Sequence, residues 1–259
     1  MTANERYIVR LAGSDADHAA ARRLRYKVFV EELGARGPLV DHASGLEQDE
    51  FDAHFDHLIL VDREREAAGR DHVVGVYRLL PCDRLEKVGR FYSETEFDLS
   101  ALKASGRRLL ELGRSCIHPD HRGGTGMFHL WNAIADYVLD RQIEVLFGAA
   151  SLRGTDVAAL AMPLSWLYRN HLAPEALLVR AIGADAVSMD LLPADRIDRR
   201  AALAALPPLI KAYLRLGGFV GNGAFVDHAF NTTDVCLVMD TRKMSAKHRE
   251  FYIKRRGEG

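Results

Sequence analysis

Residues 108–126 read Arg108-Leu-Leu-Glu-Leu-Gly-Arg-Ser-Cys-Ile117, then His118-Pro-Asp-His-Arg-Gly-Gly-Thr-Gly126, and an amphipathic run continues to Asp140. The first part is β-rich, the second is a glycine turn, and the third has helical period. A strand that enters a helix through glycines leaves backbone N–H groups unobstructed at the helix N-terminus. There the helix dipole favours an anion such as phosphate. Arg122, Gly123, Gly124, Thr125 and Gly126 are therefore candidate ligands of a phosphate-bearing group. The alternative is a tight turn that uses glycine for positive φ. The spacing is not G-x-G-x-x-G, and no Lys-Ser or Lys-Thr pair follows the glycines, which disfavours hydride transfer and nucleotide hydrolysis.

On the N-terminal side, residues 7–11 form a short β run, and Ser14-Asp15 caps a helix expected to reach about Leu33 through Ala19, Leu24, Val28 and Phe29. Residues 34–50 have neither period and read as a long loop, which in a compact domain is often functional. Residues 57–61 and 72–80 are β runs joined by a charged turn, the pattern of a hairpin. On the C-terminal side come a strand at 144–148, a helix at 155–170 and a helix at 203–216 interrupted early by Pro207-Pro208. Two β runs, 218–226 and 233–240, follow. Strands and helices alternate without a linker. The expectation is one α/β domain over 1–240 with a helical insertion at about 152–200, and a basic tail at 241–259.

The chain has 259 residues, 48% of them apolar and 27% charged, a globular profile. Its 35 Lys and Arg residues nearly balance 36 Asp and Glu residues, so no global field draws nucleic acid or an anionic bilayer. Cys82, Cys116 and Cys236 have no metal-ligand spacing, and their odd number suits a reducing compartment, so a cytoplasmic location is expected. The charged start of the chain, with Glu5, Arg6 and Arg10, lacks the apolar stretch of a signal peptide. No run of about 18 apolar residues predicts a spanning helix, although peripheral contact with the inner membrane stays open. There is no H-E-x-x-H and no close His/Cys/Asp set, so no metal is expected.

The segment 117–126 resembles the pyrophosphate-binding loop of the GCN5-related N-acyltransferase (GNAT) superfamily, with Arg122 one place later than that pattern sets its cation. Tyr213-Leu-Arg-Leu-Gly-Gly-Phe219 resembles the superfamily's Y-x-x-x-G-F segment with one extra glycine. The resemblance implies a mixed central sheet flanked by helices. Arg25-Tyr-Lys-Val-Phe29, Asp49-Glu-Phe-Asp52, Arg78 and Glu111-Leu-Gly-Arg114 further resemble the R-x-x-x-F, D-x-x-D, R and E-x-x-R positions of acyl-homoserine-lactone synthases. Phe29-Val-Glu-Glu-Leu-Gly34, Leu109-Leu-Glu-Leu-Gly-Arg-Ser115, residues 209–219 and Ala229-Phe-Asn-Thr-Thr-Asp-Val235 are similar to bacterial L-ornithine N(alpha)-acyltransferases over nearly the whole chain. What this implies is transfer of a 3-hydroxyacyl group from the 4'-phosphopantetheine arm of acyl carrier protein to the α-amine of ornithine, giving lyso-ornithine lipid, with no permanently bound cofactor. Glutamine or S-adenosylmethionine is the alternative acceptor. An inactive carrier- or membrane-binding module with the same fold is the alternative of another class.

Acyl transfer to an amine needs a base for the ammonium, a partner for the oxyanion and a proton for the leaving thiolate. Glu111 is the candidate base, placed among Leu109, Leu110 and Leu112, where apolar surroundings would raise a carboxyl pKa. In a regular strand residues 111 and 114 face opposite ways, so a bulge near 112–113, at Gly113, is expected to turn Glu111 and Arg114 to one site. A structural ion pair between the two is the competing reading. Arg25, Phe29, Asp49, Asp52, Arg78 and Arg114 are candidate substrate-binding residues: the guanidinium forks suit a carboxylate, and the two aspartates suit the ornithine ammonium or hold Arg25 in place. Tyr213 is the candidate acid for the thiolate, and a packed core tyrosine is its other reading. Ser151, Ser165 and Cys116 lack a nucleophile elbow, so direct transfer is expected. Residues 242–256 carry seven Lys or Arg against one Glu and suit a bilayer, an acidic carrier protein or a solvated end.

Overall fold

The computed structural model describes residues 6–37, 40–69 and 71–243; most of the basic tail lies outside them. The chain divides into two compact units, residues 1–89 with 112–141, and residues 90–111 with 142–259.

In the first unit, β1 (Tyr7–Leu11) pairs antiparallel with β2 (Asp56–Asp62), and β2 with β3 (Val73–Pro81). Helix α1 (Asp15–Arg25) starts at Ser14, whose hydroxyl accepts from the Asp17 N–H, and passes without a break into a π-helical stretch, Tyr26–Glu32. Its face of Ala20, Ala21, Leu24 and Val28 packs on Ile59, Val61, Val73 and Val76. Next to β3 lies the second part of β4 (Leu109–Ile117). Helix α2 (Gly126–Asp140) covers β1, β2 and β3 on the opposite face, where Leu60, Ile117 and Leu130 meet over Gly75. The long loop at 34–50 is not wholly irregular: Val40–Asp41 and Leu46–Glu47 pair antiparallel within it.

In the second unit, the first part of β4 pairs parallel with β5 (Val145–Arg153) at Leu109, Leu110 and Glu111. The helix expected at 155–170 begins later, as α3 (Ala161–His171), because the Asp156 carboxylate accepts from the Ala158 and Ala159 N–H groups and forms a turn first. The helix expected at 203–216 is two: α4 (Arg199–Ala205), capped by Asp198, and α5 (Pro208–Arg215), which places Pro208 at its first position. Helix α5 closes on a Schellman turn, with Gly218 N–H donating to the Tyr213 carbonyl and Gly217 N–H to that of Leu214. Gly217 takes φ 91°, and a Cβ on Gly218 would lie 2.8 Å from the Tyr213 oxygen, so both glycines of the unusual pair are required. Short β6 (Phe219–Val220), β7 (Ala224–Asp227) and β8 (Thr232–Asp240) complete this unit, with β8 antiparallel to β5 along its whole length.

Candidate active site

Five of the six expected substrate-binding residues meet in the first unit as a closed ring of alternating charge. Arg25 Nη1 donates to Asp52 Oδ1 at 2.6 Å, and Arg78 Nη1 to the same oxygen and to Asp49 Oδ1, each at 2.7 Å. Arg114 donates to Asp49 and Glu47 at 3.3 and 3.2 Å, and Glu47 closes the ring on Arg25. Arg25 and Arg78 are wholly buried. Elementary patterning explains their direction: Arg25 follows Leu24 on the core face of α1, and Arg78 alternates with Val76 on the face of β3 that α1 covers. Phe55 lies beneath Arg78 with its ring centroid 4.5 Å from the guanidinium carbon. Phe29 is not part of the ring and packs against the core under α1. Asp52 holds Arg25 and Arg78, and Asp49 holds Arg78 and Arg114. Glu47 was not a sequence candidate; it sits in the aperiodic loop.

The ring and His57 beside it contribute to the pH response of the fold, as do Asp17, Asp62 and Asp240, whose carboxyls are also held low. Despite burial, Arg114 and Arg25 bring the Glu47 carboxyl down to about 2, and Arg25 and Arg78 hold Asp52 lower still. Burial, with Arg25 beside it, lowers His57 from 6.5 to about 4. The unfolded chain therefore binds more protons than the native one below pH 6.5, so stability falls as pH falls. The His57 contribution is lost between 6.5 and 4, and the Glu47 contribution from 4.5 towards 2. The melting temperature is expected to drop steadily from pH 7 to pH 4, and His57→Gln to flatten the upper part of that slope in a thermal melt series. A melting temperature that rises on acidification would contradict it.

Beside Asp52 opens a cavity of about 470 Å³, lined by Asp15, His18, Arg22, Asp56, His57 and Arg84 among others. In the same unit, residues 122–125 are exposed and Gly126 is buried at the start of α2. Gly123 takes φ 76°, and Thr125 caps the helix without a side-chain bond. Among the described residues, none accepts from the backbone amides of 123–126. Arg122 forms a two-bond pair with Glu32 at 2.7 and 2.6 Å, with both side chains about two-fifths exposed. A solvated pair of this kind is worth about 0–1 kcal/mol.

The expected irregularity of β4 occurs one residue later than predicted. Arg114, not Gly113, takes a left-handed conformation, φ 49°. Its contacts with Glu47 and Asp49 hold it there against ordinary backbone preference. Glu111, in the second unit, is buried but not surrounded by apolar groups alone. Its carboxylate accepts from the Tyr92 N–H at 2.8 Å, the Ser93 N–H at 2.6 Å and the Ser93 hydroxyl at 2.5 Å. The turn that supplies these donors, Tyr92–Thr95, is pinned by Phe91 edge-on to Phe147 at 4.9 Å. Tyr213 is buried near the end of α5.

A protein of Rhodobacter capsulatus named L-ornithine N(alpha)-acyltransferase is 61% identical to this chain over 249 residues, spanning 96% of this chain and 95% of that one. This chain belongs to the L-ornithine N(alpha)-acyltransferase family. The Brucella abortus protein of the same name is 40% identical and spans 94% of this chain and 88% of its own length. The acetyltransferase (GNAT) domain family matches residues 24–132. A solved CoA-dependent acyl-homoserine lactone synthase, BjaI with MTA, superposes with a TM-score of 0.52 over 97% of this chain and 90% of that one. At 15% identity that likeness is one of fold. The chain is thus an acyltransferase enzyme built on a mixed α/β GNAT fold, as the segment 117–126 led one to expect.

Proposed function

We propose that this enzyme transfers a 3-hydroxyacyl group from the phosphopantetheine thioester of acyl carrier protein to the α-amine of L-ornithine, giving lyso-ornithine lipid. The near full-length identity of 61% to a protein named for that acceptor carries the reading. In it, Glu111 takes a proton from the α-ammonium, the amine attacks the thioester carbonyl, the C–N bond forms and the C–S bond breaks. Tyr213 gives the departing thiolate a proton and is restored by the second nitrogen proton, which the new amide sheds as the C–S bond breaks, so the net proton released is the one on Glu111. The carboxylate of Glu111 is oriented in advance by Ser93 and Tyr92, as a general base must be. The amides of 123–126 bind the pantetheine phosphate, with Arg122 released from Glu32 to join them. The ring of Arg25, Asp52, Arg78, Asp49, Arg114 and Glu47 holds the left-handed turn at Arg114 in place. Phe29 packs against the hydrophobic core under α1. Among the described residues no helix is long and apolar enough to cross a membrane; the reading places the enzyme in the cytoplasm, with the lipid product drawing it to the inner-membrane surface.

Gly124 tests the phosphate grip, because a Cβ there would meet nothing closer than the His121 carbonyl at 3.9 Å. Gly124→Val is expected to leave the melting temperature unchanged and to raise the KM for the carrier thioester roughly 10-fold or more by shielding the amides. An unchanged donor KM would remove the loop from the site. The overall reading is tested by giving the purified enzyme 3-hydroxyacyl carrier protein with ornithine, glutamine or S-adenosylmethionine in turn. Ornithine amide is the expected dominant product in mass spectra, and preference for either other acceptor, or no amide at all, would overturn the assignment.

A further inference from the structure

The second unit carries a set of acidic groups that the reaction above does not use. Carboxylate oxygens of Glu96, Asp227 and Asp234 all lie within 4.8 Å of one another. Glu96 and Asp234 are buried, and Asp227 is half-buried. Thr232 sits among them by register: it lies directly opposite Asp227 and two residues from Asp234 on the same strand face. Its hydroxyl is 92% or more enclosed with its residue, which is 8% exposed, and has no hydrogen-bond partner among the described residues. The Asp227 carboxylate accepts from the Ala229 and Phe230 N–H groups, whereas the enclosed Thr232 hydroxyl beside the cluster marks a place for a hydrogen-bonding group from outside.

Strand register places this cluster on the same sheet face as Glu111. Glu111 is opposite Phe147 on β5, and along β5 the alternation continues through Ala149, Ser151 and Arg153. Cys236, Asp234 and Thr232 on β8 face those three in turn, and Asp227 faces Thr232 from β7. The turn Tyr92–Thr95 connects the two groups physically, since its first residues donate to Glu111 and Glu96 follows it directly. Burial pushes the Cys236 thiol up, and the charges of Glu111 and Glu96 push it further.

We propose that Glu96, Asp227, Asp234 and Thr232 bind the side-chain ammonium of the amino-acid acceptor, and so select a diamino acid while its α-amine meets Glu111. The assignment rests on the ornithine reading above. An alkylammonium has three N–H donors on a tetrahedral centre, and three convergent carboxylates accept them with the threonine oxygen alongside. A neutral side chain of the same length would bring no charge to the buried acids, so the cluster discriminates by leaving them without that partner.

The test is calorimetric titration of L-ornithine and of L-norvaline, which has the same carbon chain without the terminal amine, into the full-length enzyme and its Asp234→Asn, Asp227→Asn and Thr232→Val variants. The wild type should bind ornithine far more tightly than norvaline, and each aspartate variant should weaken ornithine roughly 10- to 100-fold while norvaline is unchanged. In steady state the same variants should raise the ornithine KM by that factor and leave the carrier KM alone. Variants that keep the native melting temperature and the wild-type preference for ornithine would overturn the proposal. So would magnesium or manganese binding that is lost in Asp234→Asn, which would make the cluster a metal centre. Cluster-dependent ornithine binding without acylation would uphold this site and sink the proposed reaction instead.

Discussion

Arg25→Met is expected to lower unfolding stability by on the order of 3–5 kcal/mol, because it leaves the buried carboxylates of Glu47 and Asp52 without the cation between them. Against a total of about 5–15 kcal/mol for a typical domain, much of the folded margin is lost. The whole residue is enclosed, so solvent offers no compensation. The effect should spread: Arg78 shares Asp52 Oδ1 with Arg25, and Arg114 shares Glu47, so opening one link loosens the ring on both sides. Arg25→Lys should recover only part of the loss, since a single ammonium cannot present a planar fork to two carboxylates. Urea titrations of the three proteins measure this directly. A loss below about 1 kcal/mol for Arg25→Met would mean that the ring behaves like a solvated surface pair and contributes little.

Glu111→Gln is expected to reduce kcat by roughly 10²- to 10⁴-fold, the usual contribution of a positioned general base. The substitution keeps the shape but removes the proton acceptor. It also sets an amide NH2 against one set of existing donors, Tyr92 N–H or the Ser93 pair, at a cost of about 1–3 kcal/mol in stability. The two effects separate by assay well below the melting temperature, where the variant is folded and the carrier thioester still binds with its normal KM. Glu111→Asp retains a carboxylate but withdraws it from Tyr92 and Ser93, so its activity should fall between the two. Full activity in Glu111→Gln would remove the base from the mechanism and favour a silent binding module.

Much of the fold follows from local patterning. Strand β1 starts and ends where its apolar run does, the Ser14 cap opens α1, and the glycine turn at 123–126 opens α2. Where local reading misses, a particular side chain or contact decides. Asp156 delays α3 by satisfying two amides itself, and Pro207-Pro208 divides a helix instead of bending it. At 113–114 backbone propensity favours glycine for positive φ, but the tertiary pairs of Arg114 outweigh it. The site shows the same division. Arg25, Asp49, Asp52, Arg78 and Arg114 form a recognisable set in sequence, and the structure joins them. Glu47 has no periodic context to mark it. The Glu96, Asp227 and Asp234 cluster is invisible in one dimension, because a turn and two strands must pair in one register before those carboxylates meet.

Regiochemistry tests the central claim most directly. With 3-hydroxyacyl carrier protein and L-ornithine as the substrates, fragmentation spectra of the product tell an amide on the α-nitrogen from one on the side-chain nitrogen, while a thiol reagent counts the carrier released. A base at Glu111 receiving the α-ammonium predicts α-amide alone, with one free thiol for each amide formed. Acylation of the side-chain nitrogen, or thiol release without amide, would contradict the account.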